Sequence, residues 1–216
     1  MKTENLSFVV SESIGSVSAT IMSERTPERI FVFAHGAGAG MDHPFMVRLS
    51  EALSALGIGT LRFNFPYMEK GGKRPDVPAI AEKAVLMAIE TAAGRFPKIP
   101  LFAGGKSFGG RMTSQALSKV TPAGVKGVIF VGFPLHAAGN AGTDRARHLS
   151  DVKVPMLFLQ GTRDALADIK LIRRVSAGAP HATLVEFEGA DHSFRAGKQD
   201  LIPSIAEAIR QWSLKL

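Results

Sequence analysis

Cysteine is absent from this chain of 216 residues, so neither disulfides nor cysteine-ligated zinc can staple the fold. Stability must come from a packed core, and a chain of this length can bury roughly 70% of the surface it exposes when unfolded. Long apolar runs are missing too. No stretch approaches the roughly 18 apolar residues of a spanning helix. The first residues enter a strand pattern rather than the apolar core of a signal peptide, so a soluble, cytoplasmic protein is expected. Charge of one sign never gathers into a block. The formal net charge of +7 divides as 12 Lys+Arg against 10 Asp+Glu over residues 1–108, and 14 against 9 over 109–216. That describes a mildly basic, solvated surface rather than a nucleic-acid or anionic-membrane face. Repeats, linkers and low-complexity tracts are also lacking, so residues 1–216 are expected to form one domain. With 45% hydrophobic and 21% charged residues, disorder is excluded.

What is present alternates. Leu6 to Val10 and Ser16 to Met22 suggest an entry hairpin, after which strand and helix patterns take turns. Strands are expected at Arg29–Ala34, Ile58–Phe63, Lys98–Ala103, Gly127–Gly132, Val154–Gln160 and Ala182–Glu188. Helical spacing is carried by Met46, Leu49, Leu53 and Leu56, by Ile80–Ala93, Phe108–Val120 and Ala167–Ala177, and by Ile202, Ile205, Ile209 and Trp212. Such alternation implies an α/β protein with a mostly parallel central sheet and helices on both faces. The unbroken apolar runs Ile30-Phe31-Val32-Phe33 and Val128-Ile129-Phe130-Val131 fit strands buried on both sides. Between Phe133 and Lys153 there is little chain for a lid.

Gly105-Lys106-Ser107-Phe108-Gly109 matches G-x-S-x-G between a predicted strand and a predicted helix. In that context a serine sits on a strained strand-to-helix turn with its hydroxyl exposed. The following helix aims backbone N–H groups and a positive dipole end at the place where an oxyanion would form. The alternative is a glycine-rich turn with a capping serine. Gly105-Lys106-Ser107 also resembles the tail of a phosphate-binding loop, but the glycine required five residues earlier is Pro100.

Serine alone is a weak nucleophile and needs a base and a group to orient that base. Asp164, in Gly161-Thr162-Arg163-Asp164, follows one predicted strand, and His192, in Gly189-Ala190-Asp191-His192, follows another. Parallel strands present their C-terminal ends on one edge of a sheet, so Ser107, Asp164 and His192 can converge there. Asp191 is too close to His192 along the chain to reach the far side of its ring and reads as loop-stabilising. The other histidines, His35, His43, His136, His148 and His181, lie in a glycine loop, at a helix start or in connections. After the first long strand, His35-Gly36-Ala37-Gly38-Ala39-Gly40 stands where a second oxyanion donor is wanted. The backbone N–H groups of Ala37 and Phe108 are the candidate donors.

Four segments carry a resemblance: His35 to Pro44, Arg62-Phe63-Asn64-Phe65-Pro66-Tyr67, Gly104 to Arg111, and Gly161-Thr162-Arg163-Asp164. The chain resembles small, cap-less serine hydrolases of the α/β-hydrolase fold, near the dienelactone-hydrolase-like group and a bacterial branch of it, over nearly its full length. Dienelactone hydrolases proper use a cysteine nucleophile where this chain has Ser107. The resemblance therefore implies acyl or ester chemistry without naming a natural substrate.

The expected function is hydrolysis of an ester or related acyl bond through an acyl-serine intermediate, with a small-molecule substrate, no metal and no organic cofactor. Thioesters and peptides use the same constellation. Tyr67 and Arg111 are candidate substrate-binding residues. Around them Lys70, Lys73, Arg74, Arg145 and Arg147 either meet an anionic acyl group or are merely solvated, and Arg62 and Asp42 are placed to brace the glycine loop. The alternative from another class is a silent hydrolase-fold binding or scaffold protein. Oligomeric state leaves no mark on the sequence.

Overall fold

The computed structural model describes residues 2–179 and 181–216. Eight strands run among them: β1 (Lys2–Ser11), β2 (Gly15–Ser23), β3 (Arg29–Ala34), β4 (Ile58–Phe63), β5 (Leu101–Lys106), β6 (Val125–Val131), β7 (Met156–Gly161) and β8 (Ala182–Phe187). They form one sheet in the order β1-β2-β4-β3-β5-β6-β7-β8. β1 and β2 pair antiparallel as the expected hairpin, and β2 pairs antiparallel with β4. From β4 to β8 every neighbour is parallel.

The helices are α1 (Pro44–Ala55), α2 (Pro66–Glu69), α3 (Pro78–Arg95), α4 (Phe108–Lys119), α5 (Ile169–Gly178) and α6 (Ile202–Ser213), with a 3₁₀ helix at Asp144–Asp151. Their starts are chemically marked. α1 opens with Pro44 after His43, whose Nδ1 accepts the Phe45 N–H, and α5 opens after Asp168, whose carboxylate accepts from Lys170 and Leu171.

Strand residues point alternately to opposite faces, and β3 shows what that does to an unbroken apolar run. Ile30 and Val32 join a core with residues of α3, α4 and α5, whereas Phe31 and Phe33 join one with α1 and α6. Both sheet faces are thus covered. The helix after β3 lies on one face and the helix after β5 on the other, so a crevice opens between the C-terminal ends of these neighbouring strands.

β5 lies three residues later than the sequence pattern suggests, because Gly104 and Gly105 belong to the strand. They look like strand breakers, yet any side chain there would collide with neighbouring backbone. A Cβ on Gly104 would overlap Ile129 O, and one on Gly105 would overlap Ala34 O. Two short elements were not expected at all. α2 follows β4 directly, with Pro66 and Tyr67 buried, and the 3₁₀ helix occupies the β6–β7 connection, with Ala146 and Leu149 buried beneath it.

Candidate active site

Ser107 stands between β5 and α4 with φ 50° and ψ −114°, a region that a residue with a Cβ occupies only under strain of about 1–3 kcal/mol. The surroundings hold it there. A Cβ on Gly109 would overlap the Ala34 backbone, so α4 begins pressed directly against β3, and the turn has no room to relax. The Ser107 N–H donates to Val131 O at 3.2 Å, tying the turn to β6 as well.

Asp164 follows β7 and His192 follows β8. The structure brings both to Ser107: His192 Nε2 lies 2.8 Å from Ser107 Oγ, and His192 Nδ1 lies 2.7 Å from Asp164 Oδ2. A carboxylate only accepts, so Nδ1 carries the proton and Nε2 is left as an acceptor for the serine hydroxyl. Asp164 is 5% exposed and its oxygens are fully used. Oδ2 also accepts from Gln160 Nε2 at 2.6 Å, and Oδ1 accepts the Leu166 N–H at 2.8 Å. Gln160 in turn accepts the Phe133 N–H at 2.9 Å, so this buried amide fixes the carboxylate from behind. Asp191 accepts from the N–H groups of Ser193 and Arg195, within its own loop.

The loop 36–40 runs beside the elbow: a Cβ on Gly36 would come within 3.8 Å of Ser107 Cβ. Ala37 lines the same cavity as Ser107, and Phe108 is the first residue of α4. The loop is braced from below. His35, fully buried, donates from Nδ1 to Gly36 O at 2.7 Å and accepts the Phe65 N–H on Nε2 at 3.1 Å. Burial holds its pKa down at about 4, so the neutral ring with one donor and one acceptor is the working form. Tyr67 Oη accepts the Gly38 N–H at 2.9 Å, Asn64 Oδ1 accepts the Met41 N–H, and Arg62 donates to Met41 O at 2.9 Å. Arg62 lies 3.9 Å from Asp42, close to the pairing anticipated from sequence.

The cavity above Ser107 and His192 has a volume of about 690 Å³, well within the range of small-molecule sites. Its walls come from the loop 36–40, the start of α1 and the segment 192–202. Neither Tyr67 nor Arg111 lines it. Tyr67 is spent on the loop brace, and Arg111 sits on α4, its Nε buried without a hydrogen-bond partner among the described residues. The cations in the wall are instead Arg48, Lys106, Arg195 and Lys198, with Arg48 paired to Asp200 at 2.7 Å.

Sequence reasoning passed over Gln160, Lys106, Phe45 and Phe194. Gln160 closes an otherwise apolar strand, Met156 to Leu159, and a lone amide there was a usable signal. Phe194 has φ 60°, and its ring stacks on Phe45 and meets the edge of Phe187; nothing local in the sequence announces that turn. Among the described residues no group of three or more His, Asp or Glu is gathered that could hold a metal ion, and no helix is long and apolar enough to cross a membrane.

Residues 27–211 match the model of a family described as alpha/beta hydrolase domain. Solved structures with the same fold include a dienelactone hydrolase from Anabaena variabilis (19% identity, covering 100% of this chain and 99% of that one, TM-score 0.77). An esterase domain from a Rhodothermus marinus protein is similar at 16% identity over 100% and 99%, TM-score 0.76. A lid-less α/β serine hydrolase from Xanthomonas campestris is similar at 20% identity over 98% and 96%, TM-score 0.75.

Proposed function

The chain belongs to the alpha/beta hydrolase domain family, and from that premise we propose that it is a serine hydrolase cleaving a carboxylic ester with Ser107, His192 and Asp164. The observation that carries this reading is the unbroken relay from Asp164 Oδ2 through the His192 ring to Ser107 Oγ, at 2.7 and 2.8 Å, on the wall of a cavity of substrate size. Ser107 Oγ attacks the ester carbonyl carbon while His192 Nε2 takes its proton, and Asp164 stabilises the imidazolium that results. The carbonyl oxygen becomes an oxyanion, for which the N–H groups of Ala37 and Phe108 are the proposed donors. As the C–O bond breaks, the imidazolium returns its proton to the departing alcohol. Water, deprotonated by His192, then attacks the acyl-serine and releases the acid.

This chemistry needs no metal or organic cofactor, and it treats residues 1–216 as one domain acting on a small molecule. The esterase and dienelactone hydrolase among the similar structures favour esters over thioesters or peptides. The test is labelling with a fluorophosphonate probe followed by peptide mapping. The reading expects modification at Ser107, none in Ser107→Ala, and labelling slowed about 10²–10⁴-fold in His192→Ala. Modification elsewhere, or inertness toward both the probe and a panel of activated esters and thioesters, refutes it and leaves a binding or scaffold protein.

A further inference from the structure

Lys106, the residue before Ser107, is half-buried, although lysine is among the side chains least often found inside a protein. Its stem passes Gly36, and its ammonium donates to the backbone carbonyl of His192 at 2.6 Å. The ammonium also faces two aromatic rings, Phe194 at 5.5 Å and Phe45 at 6.0 Å. Room for it is left by Gly132, where a Cβ would stand 3.1 Å from Nζ. One side chain therefore joins the elbow that carries Ser107 to the loop that carries His192, and these two segments are 85 residues apart in the chain.

We propose that Lys106 is a positioning residue: its ammonium, held on the His192 carbonyl and framed by Phe45 and Phe194, pins the His192 loop so that Nε2 stays on Ser107 Oγ. The inference rests on the reading of Ser107 and His192 given above. Asp191 ties the same loop to itself through Ser193 and Arg195, but it does not connect the loop to the elbow. Lys106 does. Burial lowers the ammonium pKa to about 8, against which Asp164 and Asp191 pull it upward. The other charged or titratable groups on the cavity wall are His43, Arg48, Arg195, Lys198, Asp200 and His192 itself. Above about pH 8 the amine loses its charge, the bond to the carbonyl weakens, and the loop is released.

The absence of cysteine makes a clean experiment possible. Lys106→Met keeps a flexible apolar stem without the charge, and Lys106→Cys alkylated with 2-bromoethylamine rebuilds a near-lysine side chain at that one position. With p-nitrophenyl acetate, Lys106→Met is expected to lower kcat about tenfold or more, the worth of a charge-assisted hydrogen bond, with KM changed less than about threefold. The fall in kcat above about pH 8 should be absent from Lys106→Met and present in aminoethylated Lys106→Cys. Deuterium uptake across residues 189–199 should rise in Lys106→Met and return to the wild-type level in the aminoethylated protein. Unchanged uptake overturns the proposal whether or not the protein turns over ester. So does a loss of kcat that aminoethylation fails to restore in a folded protein, because Lys106 would then be packing alone. A wild type inert to ester and to fluorophosphonate refutes the reading of Ser107 instead.

Discussion

Lowering the pH from 7 to 4 sets the fold against the solvation of one ring. His35 is fully buried beneath the glycine loop, with its pKa held at about 4 by burial, whereas the same imidazole in the unfolded chain titrates near 6.5. The unfolded state therefore takes up this proton first, and stability falls as the pH drops from 6.5 through 4. Linkage puts the loss from this residue at about 2 kcal/mol at pH 5 and about 3 kcal/mol at pH 4. Geometry agrees with the sign, since a proton on Nε2 would turn the acceptor of the Phe65 N–H into a second donor. Urea unfolding can be followed by the fluorescence of Trp212, the single tryptophan, buried in the edge-on contact with Phe102. His35→Gln cannot titrate. It should be less stable than wild type at pH 7, but its stability should fall by about 3 kcal/mol less between pH 7 and pH 4, because every other titrating group is common to both proteins. Parallel stability curves for the two across this range would refute the reasoning.

Glycine substitutions offer a contrast within one protein. Gly105→Ala drives a methyl group into Ala34 O and the start of α4, and should cost about 3 kcal/mol or more in urea unfolding, because backbone on both sides cannot give way. Gly94→Ala, near the end of α3 with nothing within 4 Å of the new Cβ, should instead stabilise by about 0.5–1 kcal/mol. Tyr67→Phe removes the acceptor of the Gly38 N–H and should lower kcat about twofold to tenfold with the fold intact, as judged by circular dichroism. A Tyr67→Phe protein with unaltered kcat would mean that the brace is idle during turnover.

The parallel layering was readable because it follows from period and length. β3 and β4 match their expected ranges, since burial on both faces leaves no other use for such apolar runs, and β8, only partly buried at the sheet edge, begins at its expected residue. β5 departs from its expected range for a reason that local propensity cannot supply: whether Gly104 and Gly105 end a strand or continue it depends on how close Ile129 and Ala34 come, which is a tertiary fact. The same holds at the site. Ser107, Asp164 and His192 meet as their places after three parallel strands imply. The expectation for Tyr67 and Arg111 rests on residue type and position along the chain, yet the direction of a side chain decides what it lines. Tyr67 turned toward Gly38, and the cavity took Phe45, Arg48 and Phe194 from α1 and the His192 loop, segments whose approach depends on the packing of α1 against α6.

The backbone of Ser107 has a consequence for any attempt to harden this protein. A glycine would occupy φ 50° without objection, so on the proposed reading Ser107→Gly trades reactivity for comfort at one of the positions, with His181 and Phe194, where a side chain sits in the left-handed region. Selection for heat tolerance alone would reward that exchange. The serine persists in such a lineage only where chemistry is screened alongside melting temperature, and a library scored on survival of heating should be expected to lose it early.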